Sequence, residues 1–214
     1  MGAAPVTDIR PALRGQIHRY AAFAAVPLFA GLTLAADSTK SRVACAIYGL
    51  GVTTMLGVSA VYHSARTSPT WRSRLQRVDH STILLAIAGS YTGIGVLALE
   101  GAPERWVLTI AWVAATIGIA LRMTWLHAPY PVIAVVYVVV GWSVLFQLGP
   151  FIDALSGADL FLIAAGGVLY TAGAVVYALH RPNPWPMTFG YHEIFHALVV
   201  AAALLHFVAA ARLV

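Results

Sequence analysis

Seven apolar stretches, at 20–36, 43–63, 79–99, 106–126, 132–148, 160–179 and 191–211, take up most of the 214-residue chain. Each approaches the run of about 20 mostly apolar residues that a helix needs to cross a bilayer. Breakers and charges separate them: Asp37-Ser38-Thr39-Lys40, the segment from Arg66 to Arg77, Gly101-Ala102-Pro103-Glu104, Pro129-Tyr130-Pro131, Gly149-Pro150, and Arg181-Pro182-Asn183-Pro184-Trp185-Pro186. Proline and glycine stop helices where the backbone can reach water or headgroups. No stretch alternates at period two, which argues against a barrel. The chain is 60% hydrophobic and 10% charged, where soluble chains are roughly 45–50% and about 25%. So few charges cannot cover a water-soluble surface of this size, and the same figures exclude disorder. One cysteine, Cys45, excludes a disulfide framework and a cysteine-based zinc finger.

The basic residues orient the bundle. Arg10, Arg14, Arg19, Arg66, Arg72, Arg74, Arg77, Arg122 and Arg181 fall on one face, and Lys40, Arg42, Arg105 and Arg212 on the other, nine against four of the 13. The positive-inside rule predicts a cytoplasmic N-terminus, and seven spans then put the C-terminus outside. The net charge of +5 lies in short clusters between apolar stretches, a pattern that orients membrane proteins, so no nucleic-acid partner is expected. The N-terminal residues lack the apolar core of a cleavable signal, and the first apolar stretch continues into a full span. The expected architecture is an all-α integral membrane protein, a single seven-transmembrane-helix bundle over residues 1–214. Abundant alanine and arginine suggest a GC-rich bacterial source. The expected location is therefore the bacterial plasma (inner) membrane, with membrane lipid as the partner. A protein partner is not something the sequence lets one predict.

Ionisable groups at membrane depth are costly and are functional candidates by default. His192-Glu193-Ile194-Phe195-His196 puts two histidines at i and i+4, on one helix face with Cβ atoms about 5–6 Å apart. His63 ends the second stretch, one turn after Ser59, and Asp79 opens the third in Asp79-His80-Ser81. With the topology above, His63, Asp79, His192 and His196 all lie near the cytoplasmic face. Three histidines with a carboxylate or water make an ordinary tetrahedral zinc shell.

Ser59-x3-His63, Asp79-His80-Ser81, Ala88-Gly89-Ser90-Tyr91-Thr92 and Gly190-Tyr191-His192-Glu193-x2-His196 resemble the motifs of the hemolysin III family. That family belongs with the progestin and adipoQ receptors and, more distantly, the alkaline ceramidases. The resemblance covers nearly the whole chain. It implies a seven-helix fold with Zn2+ held by His63, His192 and His196, Asp79 holding the water at the zinc, and Ser59 supporting the site. Two departures stand out. The family's N-terminal Glu-x5-Asn-x3-His has its nearest match here in Asp8-x5-Arg14-x3-His18, and its Tyr-Thr-Pro reads Tyr91-Thr92-Gly93.

Zinc lowers the pKa of a bound water to about 7 and polarises a carbonyl. An aspartate beside it could take a proton and pass it to a leaving amine. The ceramidase likeness makes a lipid amide the concrete substrate class, with Asp79 as base and Ser59 as hydrogen bonder or oxyanion donor. Other readings stay open. The metal could be structural in a membrane sensor, receptor or homeostasis protein. His192-Glu193-x2-His196 is formally the HExxH of metalloproteases, with Glu193 as base; on the preferred reading Glu193 points toward loop or solvent. A pore or transporter has little support, because no span shows a long polar stripe and the mid-span positions are nearly free of charge.

Other polar residues have simpler readings. His206 is expected as a packed helix-interior residue, and His18, His127 and His180 as boundary residues. His80 is a possible partner behind the ligands. Arg122 is expected to snorkel to the cytoplasmic side. Gly49, Gly51, Gly57, Gly166, Gly167 and Gly173 are expected to allow close helix approach, and Tyr91 to line a substrate cavity.

Overall fold

A computed structural model describes residues 11–125 and 128–214. Among them, seven helical segments are long and apolar enough to cross a membrane. The helices are α1 (Gln16–Ala35), α2 (Thr39–Ser64), α3 (Pro69–Ala98), α4 (Gly101–Thr124), α5 (Tyr130–Gly141), α6 (Leu148–Ala154), α7 (Gly157–Leu179) and α8 (Tyr191–Ala211). A 3-10 turn, Ser143–Gln147, joins α5 to α6, and the three together make the fifth span, Pro131–Ala154. Large apolar side chains such as Leu34, Phe146 and Phe161 are exposed, while histidines, aspartates and an arginine are buried. This inside-out polarity suits a chain whose solvent is lipid.

The helix starts follow local capping chemistry. Ser38, Ser68 and Ser156 each accept from the backbone N–H three residues on, which satisfies a donor the helix itself leaves free. Pro69 follows Ser68 at the first helical position, where its missing N–H is no loss. The third span therefore begins ten residues earlier than hydropathy predicts. Arg72, Arg74 and Arg77 lie on helix, and Asp79 sits in its third turn rather than at its opening. The fifth span also departs from expectation. Gly149-Pro150 does not end it, because Pro150 falls in the first turn of α6, where proline is tolerated. The helix breaks instead at Trp142.

Consecutive helices run antiparallel, so the end of α2, the starts of α3 and α8, and the end of α7 share one end of the bundle. Here α2 packs mainly against α1 and α3, and α8 against α7. Close approach is built on small residues. A Cβ on Gly49 would lie 2.6 Å from Phe29 Cβ, and one on Gly51 or Gly89 would lie 3.0 Å from Leu85 O or 3.1 Å from Ile47 O. Gly57 is different: among the described residues nothing lies within 4 Å of its would-be Cβ, so close packing there does not explain it. At the opposite end, ion pairs Lys40–Glu104 (2.6 Å) and Arg212–Asp159 (2.5 Å) tie α2 to α4 and the tail of α8 to α7.

Candidate metal and substrate site

Three imidazoles converge at the shared end. His63 lies in the last turn of α2, and His192 and His196 lie one turn apart in the first two turns of α8. All three are buried, and one ring nitrogen from each falls within 4.8 Å of the others. His192 Nε2 is 3.1 Å from His63 Nε2. Four ligands in tetrahedral array at about 2.0–2.1 Å stand roughly 3.4 Å apart, so the trio fits a metal with small side-chain adjustment. These three buried histidines could hold a metal ion.

Asp79 is buried at the same end but is not a member of that trio. Ser59, on α2, hydrogen-bonds the Asp79 carboxylate, so its hydroxyl serves the aspartate across the α2–α3 interface. Thr82 donates to the Asp79 carbonyl at 2.7 Å. His80 also faces inward, with Nε2 4.0 Å from Asp79 Oδ2. Its other nitrogen meets the guanidinium of Arg122, and Tyr137 donates to its backbone carbonyl at 3.0 Å. Arg122 thus does not snorkel outward. It is buried at 2% exposure, turned inward by a polar partner that the interior supplies.

Two further residues differ from the sequence reading. His18 lies at the start of α1, near the end of the bundle as expected, but it is not an exposed boundary residue: it is 2% exposed and stacks flat on His196, with ring centroids 3.7 Å apart and planes 4° from parallel. Among the described residues, neither of its ring nitrogens has a hydrogen-bond partner. Glu193 does not point to solvent. It is 1% exposed, accepts from Gly190 N at 2.8 Å and pairs with Arg14 at 2.7 Å. The first contact caps α8, and the second ties the N-terminal segment to it. Arg14-x3-His18 carried the signal for both residues, since one turn separates a residue that grips α8 from one that lies on its histidine. Asp8 of that pattern, and His127, lie outside the described residues.

The N-terminal segment closes over this end. Ala12 N and Leu13 N donate to Met187 O and Thr188 O, in the loop before α8, at 3.0 and 3.3 Å. Gly15 then turns with φ 78°, and a Cβ there would lie 3.1 Å from His63 Cβ. Only a glycine adopts that turn this close to α2 without strain.

Below the site a cavity of about 370 Å³ runs from His63 and His192 past Tyr91 and Trp142 to Ile163 and His206. Most of its wall is apolar. It follows the broken fifth span, whose freed backbone groups are met by Tyr91: the hydroxyl donates to Gly141 O at 2.7 Å and accepts from Val144 N at 2.8 Å. Trp142 Nε1 donates to Thr171 Oγ1 at 2.9 Å, fixing the break to α7. His206, at the far end, contacts Ile163 O through Nε2 at 3.0 Å.

The profile of one family, described as haemolysin-III related, matches residues 7–207. Hemolysin-3 of Bacillus cereus is 27% identical over 194 residues, covering 89% of this chain and 85% of that protein. The hemolysin-3 homolog of Bacillus subtilis is 29% identical over 161 residues, 75% of this chain and 72% of its own length. The adiponectin receptor protein of Drosophila melanogaster is 26% identical over 187 residues, 79% of this chain but 42% of the receptor. No solved structure matches the chain.

Proposed function

The chain belongs to the haemolysin-III related family, as a multi-pass bacterial membrane protein, and on that premise we propose that it holds zinc through His63, His192 and His196 and hydrolyses lipid amides. The observation that carries the reading is the cavity. It joins three convergent imidazoles and a buried aspartate at one end to an apolar tube through the bundle. An acyl chain fits the tube and leaves its amide carbonyl at the histidines. Zinc there supplies Lewis acidity that polarises a carbonyl and makes water acidic near neutral pH. Asp79 accepts the proton of the attacking water and returns it to the leaving nitrogen. Ser59 fixes the carboxylate for that transfer, and the His80–Arg122 pair backs it from the other side. The nine-to-four distribution of basic residues supports a cytoplasmic location for this end. Glu193, occupied by Arg14 and Gly190, is not free to act as the base of an HExxH protease. The apolar wall of the cavity gives no support to a water-filled pore.

A second reading rests on a separate observation. The helices α2 and α8 scarcely touch each other, yet the three histidines bridge them. A metal there would staple the bundle, as a sensor or receptor requires, and the adiponectin receptor name of one relative agrees with that use. The two readings separate in one experiment. Chelator-free protein in detergent is assayed for metal content and for dodecanoate release from N-dodecanoyl amides, alongside Asp79→Asn. Metal near one equivalent, turnover in the parent chain and its loss by at least a hundredfold in Asp79→Asn would establish the hydrolase. Metal with no turnover would favour the staple, and under half an equivalent of metal would sink both.

A further inference from the structure

We propose that the charged end of the cavity selects an amphiphile with an anionic polar part. On the hydrolase reading, the substrate is an N-acyl amine that carries a carboxylate or phosphate a few bonds beyond the amide nitrogen. Three side chains bearing formal charge line the cavity among the described residues: Arg14, Arg72 and Asp79. Arg14 is neutralised by Glu193, and Asp79 is engaged by Ser59. Arg72 differs from both. Among the described residues no carboxylate lies within ion-pair distance of it, and its guanidinium rests 5.2 Å from the centre of the Tyr62 ring.

Arg72 is half-buried, and a cation drawn partly out of water without a counter-charge is costly. An anion from the cavity would offset that cost. The guanidinium fork also matches a carboxylate or phosphate in a way a neutral headgroup cannot repeat. The register places it well. Arg72, Gln76 and Asp79 follow one another along α3, and seven residues span about 10 Å. The guanidinium lies over Tyr62, the chain neighbour of His63, which keeps it on the site's side of α3. With the scissile carbonyl near Asp79 and His192, a charge a few bonds past the nitrogen reaches the guanidinium, and Gln76 lies between. At the opposite end the wall is apolar. That apolar stretch of the 370 Å³ cavity is where the acyl chain would lie.

In the reaction the amide C–N bond breaks and a C–O bond forms to a water oxygen. One water proton ends on the nitrogen and the other stays with the acid, and nothing is oxidised or reduced. The inference rests on the hydrolase reading for the reaction but not for headgroup selection, and binding separates the two. The full chain in an uncharged detergent, metal-loaded and metal-stripped, is titrated at low salt with N-dodecanoylglycine, its methyl ester, N-dodecanoyl-phosphoethanolamine and dodecanoate. Each is tested on the parent chain, Arg72→Gln and Arg72→Lys, with thermal unfolding as the check on folding. Expected is at least tenfold tighter binding of an anionic amide than of the ester, in both metal states. The preference should vanish in Arg72→Gln and return in part in Arg72→Lys. Carboxylate against phosphate preference identifies which source supplies the anion. Equal binding of acid and ester, or a preference that survives Arg72→Gln or needs the metal, overturns the proposal. Release of dodecanoate from neutral amides as fast as from anionic ones leaves the hydrolase standing and removes this inference. Arg72-dependent selection without release from any amide does the reverse.

Discussion

His18 acts on the site through a face rather than an atom. Its ring lies flat on His196, and among the described residues neither nitrogen has a partner, so what it gives His196 is a wall that limits rotation. Groups that fix a ligating imidazole typically cost 10–100-fold in metal affinity when removed. His18→Ala should therefore weaken zinc binding by about 10–100-fold in a chelator competition, whereas His18→Phe, which keeps an aromatic face, should stay near the parent. If the phenylalanine variant is as weak as the alanine one, the nitrogens matter and the stacking account is wrong. Glu193 calls for a different test. Glu193→Gln can still accept from Gly190 but loses its charge toward Arg14. It should retain the metal and lose about 1–3 kcal/mol of stability, read as a lowered midpoint of unfolding; loss of all turnover with the metal and the fold intact would instead make Glu193 the base. The sequence showed the three histidines because i, i+4 spacing and shared helix ends are local facts. It could not show that Arg14 meets a residue 179 positions away, since a helical wheel gives direction but not what waits there.

At the scale of elements, hydropathy finds what lies in lipid and caps find where a helix starts, and the two need not coincide. The last span matches its predicted limits because apolarity and capping agree at Tyr191. The third does not, because its first three turns are basic yet helical, and only Ser68-Pro69 marks their beginning. The break in the fifth span was illegible for a related reason. Val-rich sequence runs up to Trp142, and the group that permits the break, Tyr91, belongs to another helix. Tyr91→Phe should leave Gly141 O and Val144 N without their partner at membrane depth. Each unmet backbone group costs about 1–3 kcal/mol, so we expect a clear fall in unfolding temperature and faster hydrogen exchange confined to 141–148. Exchange that stays unchanged there would mean the break is held by other contacts. Packing offers a paired control. Gly89→Ala drives a Cβ against the α2 backbone and should destabilise the α2–α3 pair, whereas Gly57→Ala, with open space around it, should be neutral or slightly stabilising through better helix propensity.

For the whole molecule, the site is where the start of the first helix meets the start of the last. The first and last helices both contribute to it, and the N-terminal segment pairs with the loop leading into α8. The ligand-bearing helices α2 and α8 belong to different packing groups, one with α1 and α3, the other with α7. A metal bound to the folded chain stabilises it by mass action, about 4 kcal/mol when the free metal is a thousandfold above its dissociation constant. Stripping the metal should therefore lower the unfolding midpoint by several degrees and loosen α1 and α8 before α3 and α4. Readdition of zinc should restore both. In His192→Ala/His196→Ala the midpoint should start low and not respond to chelator, because two of the three donors are gone. A parent chain whose midpoint ignores chelator while still containing an equivalent of metal would place that metal elsewhere. The three histidines would then be a packed polar cluster, with the 3.1 Å His63–His192 contact as a simple hydrogen bond between neutral rings.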